Sequence, residues 1–124
     1  MTFSLIAREP ETGHLGIAVA SRFFAVGAVI PFITPAGAIA TQALVNPLWG
    51  IEGNKLLASG ARPQAVLSQL QDRDEGHRQR QVHVMAKDGT NAAYTGAECI
   101  EWAGHKAEDN LSVAGNMLAG PQVL

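Results

Sequence analysis

Apolar and polar positions alternate with a period of two along several stretches of the chain and recur at helical spacing along two others, and this patterning predicts most of the element order. Phe3, Leu5 and Ala7 alternate with Ser4 and Ile6 in a run bounded by Arg8-Glu9-Pro10, which predicts a strand beginning almost at the first residue. Glu9 to Gly13 has turn chemistry. Leu15 to Ala20 then resumes, with Ile17 and Val19 on one side and Gly16, Ala18 and Ala20 on the other, so the two runs form a hairpin. The small face calls for a close neighbour, either a helix layer or a second sheet. In residues 23 to 45, Pro31 and Pro35 divide an apolar stretch rich in Gly and Ala into a segment around Val26 to Ile30 and a strand around Gly37 to Leu44. Thr41 and Gln42 fall inside that strand. An unpaired polar side chain there costs about 1 to 3 kcal/mol, so both are either satisfied by backbone or line a site.

Asn46-Pro47 opens a helical region, with asparagine as N-cap and proline pre-set for the first helical position. Trp49, Leu56 and Leu57 are its apolar members before Gly60, and a second helix begins at Arg62-Pro63 with Ala65, Val66, Leu67 and Leu70 recurring on one face. Gln81 to Ala86 alternates again, Asp88-Gly89 marks a tight turn, and Ala92 to Tyr94 returns as the partner strand. His83 and Met85 share one side of that strand and are expected to face solvent. Cys99 to His105 is expected along a sheet edge, Lys106 to Asn110 as a polar loop, and Leu111 to Ala114 as a short strand interrupted by Gly115-Asn116. Gly120-Pro121 looks like the start of a helix with only Gln122, Val123 and Leu124 after it. The sequence is therefore expected to be the N-terminal portion of a longer domain.

Composition narrows the function classes. At 124 residues with 47% apolar and 16% charged residues, the chain suits one domain with strands buried on more than one side. A net charge of -2 without a basic cluster argues against a nucleic-acid partner. The longest uncharged stretch, Phe23 to Ile51, is broken by prolines and glycines and is not expected to cross a membrane. A lone Cys99, read as a small buried hydrophobe, and the lack of a signal-peptide pattern suit the cytoplasm. His14, His77, His83 and His105 match no metal-ligand spacing, so neither metal nor cofactor is expected.

Thr2 carries the candidate chemistry. It is small enough for methionine aminopeptidase to remove Met1, which leaves a hydroxyl and a free α-amine on one residue. Such an amine, with an ordinary pKa of about 7.7 to 8.0, is partly neutral near pH 7 and is able to take the hydroxyl proton. Around it, Thr2-Phe3-Ser4, the run GIAVASR over residues 16–22, Ala40-Thr41-Gln42-Ala43 with Asn46-Pro47, Tyr94-Thr95-Gly96, Trp102 to His105, and Gly115-Asn116-Met117-Leu118-Ala119-Gly120-Pro121 together resemble the DUF1028 family, placed among the N-terminal nucleophile (Ntn) hydrolases. The resemblance runs from residue 2 to the last residue. It implies an α+β fold, a four-layer αββα sandwich of antiparallel sheets, of which this chain is the N-terminal portion. It also implies amide-bond hydrolysis by Thr2, with Asn116 and the backbone of Gly115 as oxyanion donors. Arg22 would hold a substrate carboxylate or lower the amine pKa, and Ser21, Gln42, Asn46 and His105 would line the substrate pocket. The implied partners are a small-molecule or peptide amide and further copies of the chain in a homo-oligomer. A non-catalytic binding or assembly module on the same sandwich is the alternative.

Overall fold

The computed structural model describes all 124 residues, Met1–Leu124. Eight strands form two four-stranded antiparallel sheets. The first sheet contains β1 (Thr2–Arg8), β2 (Leu15–Ser21), β7 (Trp102–Glu108) and β8 (Leu111–Leu118) in the order β2-β1-β8-β7. The second contains β3 (Pro31–Thr34), β4 (Gly37–Ala43), β5 (Arg80–Ala86) and β6 (Asn91–Thr95) in the order β3-β4-β5-β6. Helices α1 (Pro47–Ala58) and α2 (Pro63–Asp72) cross over between β4 and β5 and lie on the outer face of the second sheet. No helix is long and apolar enough to cross a membrane.

Two apolar clusters hold these layers together. Ile39, Val82 and Val84 face the helices and pack with Trp49, Leu57, Val66, Leu67 and Leu70. Ile6, Ile30, Ala38, Ala40 and Met85 fill the space between the sheets. Helix α1 is seated closely because it carries glycine where it meets the sheet: a methyl on Gly50 would collide with the Phe32 ring. Its start follows the sequence expectation, since the Asn46 side chain accepts from the Leu48 N–H at 3.1 Å and Pro47 takes the first position.

Several expectations are corrected. Proline at residue 31 starts a strand, because β3 lies at the sheet edge and a first-position proline forfeits no ladder bond there. Residues 26–28 form a short 3-10 turn. Lys106 to Glu108 belong to β7, and β8 continues through Gly115 and Asn116 because β1 pairs with both, while β7 pairs with Gly115 and shifts register before Leu118. The segment at Pro121 is a single 3-10 turn, Pro121–Val123. His83 and Met85 are fully buried, because the first sheet covers the side of β5 that alternation alone leaves open to water. The small face of β2, by contrast, has no neighbour within the chain: Gly16, Ala18 and Ala20 are exposed.

Candidate active site

Register brings the site together. Side chains two apart on a strand share a face, so Thr2, Ser4 and Ile6 of β1 point between the sheets while Phe3, Leu5 and Ala7 point away. Thr2 lies opposite Ser21 of β2 on one side and Asn116 of β8 on the other. All three line a cavity of about 520 Å³, together with Met1, Phe23, Ala43, Leu44, Gln79, Glu98, Cys99, Ile100 and Met117. Thr2 is 8% exposed and Asn116 3%, so each presents only a small part of its surface to that space.

The hydroxyl geometry can be followed proton by proton. Ser21 Oγ donates to the Met1 carbonyl at 2.8 Å and accepts from the Phe23 N–H at 3.1 Å. Its single proton is thereby used, so in the 3.0 Å contact between the two hydroxyls Thr2 is the donor. With Met1 in place, the Thr2 nitrogen is an amide and has no basicity to offer.

Behind Thr2 stands a buried amide network. Gln81 Nε2 lies 2.9 Å from Thr95 Oγ1, 3.0 Å from the Gly104 carbonyl and 2.9 Å from the Gly115 carbonyl. Two of these partners are carbonyls, which only accept, so the orientation of the Gln81 amide is fixed and its Oε1 must face donors. Those donors are Gln42 Nε2 at 2.8 Å and Asn116 Nδ2 at 3.1 Å. One N–H of Asn116 is thus committed to Gln81, which holds the side chain in place, and the other is left without a protein partner. Gln42 Oε1 is buried with no partner. One layer deeper, His83 joins Ser4 Oγ at 2.8 Å through Nε2 and Ser112 Oγ at 3.0 Å through Nδ1. All three residues are fully buried, and burial, with a smaller contribution from His105, pushes the His83 pKa down to about 3.

The sequence-predicted residues divide accordingly. Thr2, Ser21 and Asn116 converge on the cavity. Gln42 backs it without lining it. Gly115 is one residue out of phase with the inward face and contributes its carbonyl to Gln81. Arg22 is exposed, with no hydrogen-bond or ion-pair partner, because the residue after inward-facing Ser21 must point the other way. Asn46 caps α1 and donates to Asp74 at 3.2 Å. His105 pairs with Thr95 at 2.9 Å on the far side of Gln81, and burial lowers its pKa.

Sequence reasoning missed the apolar rim of Phe23, Leu44, Ile100 and Met117, which comes from four separate loops and strand ends and has no local signature. It missed Gln81 as well. The Cys99 thiol forms part of the wall, donates to the Arg80 carbonyl at 3.4 Å, and has its pKa pushed up by burial. A larger groove of about 950 Å³ lies at the other end of the second sheet, bordered by β3, α1 and the β5–β6 turn. None of the candidate catalytic or substrate-binding residues lines it.

Two comparisons bear on this arrangement. The crystal structure of protein SPO2555 from Silicibacter pomeroyi is similar to this chain at 34% identity and a TM-score of 0.96, over 99% of this chain. This chain spans 55% of that protein's length. Comparison with curated proteins returns no match. The strand that carries Thr2 and the strand that carries Asn116 both fall within residues 2–124, which match the model of a family of unknown function, and on that match the chain belongs to the DUF1028 family.

Proposed function

We propose that the chain, once Met1 is removed, hydrolyses an amide bond with Thr2 as an N-terminal nucleophile, in the manner of Ntn hydrolases. The observation that carries this reading is the position of the Thr2 hydroxyl in a concave, largely apolar site between Ser21 and Asn116, with a single residue blocking its nitrogen. Removal of Met1 turns that nitrogen into a base on the same residue as the nucleophile. It also frees the Ser21 proton from the Met1 carbonyl.

In the reaction, the α-amine takes the Thr2 Oγ proton as Oγ bonds to the substrate carbonyl carbon. The uncommitted N–H of Asn116 receives the developing oxyanion, and its preset orientation through Gln81 is what makes such a donor effective. The C–N bond then breaks, the leaving amine takes the proton from the α-ammonium, and water hydrolyses the Thr2 ester. The finer fold reading goes with this one. In a four-layer αββα sandwich, a helical layer contributed by further chain would cover the outer face of the first sheet, supported by the exposed Gly16, Ala18 and Ala20 and by the greater length of the similar protein.

The test is covalent labelling of the Met1-free protein with an amide-directed acylating probe, followed by peptide mapping. An adduct on Thr2 that is lost in both Thr2→Ala and the Met1-retaining form supports the reading. Labelling that ignores Thr2 overturns it in favour of a non-catalytic module.

A further inference from the structure

We infer that the cavity beside Thr2 takes an uncharged apolar acyl group, so that the substrate is a simple apolar amide and not one bearing a carboxylate. This rests on the reading of Thr2 as nucleophile and names the substrate class for that same site. Three observations carry it.

The first is the charge inventory. No lysine, arginine or histidine lines the cavity, and its one charged side chain, Glu98, is already engaged by Arg78 Nε at 2.7 Å and Gln79 Nε2 at 3.3 Å. A substrate carboxylate would lose water there without gaining a cationic side chain. The second is the rim. Phe23, Leu44, Ile100 and Met117 are 58%, 56%, 65% and 40% exposed, so four of the chain's eleven exposed large apolar side chains surround one opening. Such a concentration marks a surface meant to meet an apolar group.

The third is Met1 itself. It is an acyl group joined through an amide to the Thr2 nitrogen, it lines the cavity, and its carbonyl is held by Ser21 at 2.8 Å. Its ammonium meets only the Met117 thioether, at 3.3 Å, which is a weak acceptor and no carboxylate. Met1, 55% exposed, thus borders the cavity without any group that would select an α-ammonium.

The experiment uses the Met1-free protein with hexanoyl-, acetyl- and glutaryl-4-nitroanilide, reading kcat/KM for each. Hexanamide and glutaramate binding is followed in parallel by chemical-shift changes at Ile100 and Met117. The expected result is a preference for hexanoyl over acetyl of about tenfold or more, with glutaryl the poorest. Ile100→Lys, on the exposed rim, should shrink the hexanoyl-to-glutaryl ratio about tenfold. Cleavage that favours glutaryl overturns the inference and leaves the hydrolase reading standing. If no anilide is cleaved but hexanamide alone binds, the nucleophile reading falls and the apolar preference of the cavity stands. If no anilide is cleaved and neither amide binds, or glutaramate binds as well as hexanamide, the inference falls.

Discussion

His83 sits where a protonated imidazole has no place. Its two ring nitrogens are each met by a serine hydroxyl, the surroundings are closed to water, and its pKa falls to about 3 against about 6.5 in an unfolded chain. Above pH 6.5 the residue is neutral in both states and carries no pH-dependent cost. As pH falls below 6.5 the unfolded chain takes up a proton that the folded one refuses, so stability drops by about 1.4 kcal/mol per pH unit until pH nears 3. Denaturant melts between pH 7 and 4 should show this slope, and His83→Asn should flatten it by about one proton. An unchanged slope would mean the acid sensitivity lies elsewhere. Gln81 gives a second residue-scale prediction. Gln81→Leu orphans Asn116, Gln42 and two backbone carbonyls at once and should cost about 3 kcal/mol or more, read as a shift in the melt midpoint. Neither role was legible locally, because alternation with Val82 and Val84 puts Gln81 and His83 on a face that only a second sheet makes dry. The Thr2 hydroxyl was legible from its place in the chain, whereas its nearness to Asn116 was legible only through the family resemblance, since strand register is not written in the residues themselves.

At the level of elements, two strands meet the cavity in left-handed backbone near their ends. Ala43 closes β4 at φ 69° and Met117 bends β8 at φ 55°, and both residues line the opening. A non-glycine residue in the left-handed region costs roughly 1 to 2 kcal/mol, a cost that native folds tend to keep where function needs the bend. Ala43→Gly should therefore raise stability by about 0.5 to 1 kcal/mol after glycine's own entropy is subtracted. A lower melt midpoint would mean that the Ala43 methyl matters more than the strain. The β1–β2 and β5–β6 hairpins and both helices were legible because turn and cap residues flank an unbroken hydrophobic period. The end of β8 was not, since Gly115-Asn116 reads as a turn until its pairing with Phe3 and Thr2 of β1 is known.

For the whole molecule, one face of the first sheet decides how far the architecture extends. Ala18 is exposed on that face, so Ala18→Lys should change the stability of this 124-residue chain by no more than about 0.5 kcal/mol. In a form extended to the length of the similar protein, a covering layer would make the same change cost about 2 kcal/mol or more, and equal tolerance in both would argue that the face stays bare. The central claim is that Thr2 leads the chain where it works. It is tested most directly by the intact mass and N-terminal sequence of the protein isolated from its native host. The account predicts that Met1 is absent and Thr2 carries a free α-amine; quantitative retention of Met1 would contradict it.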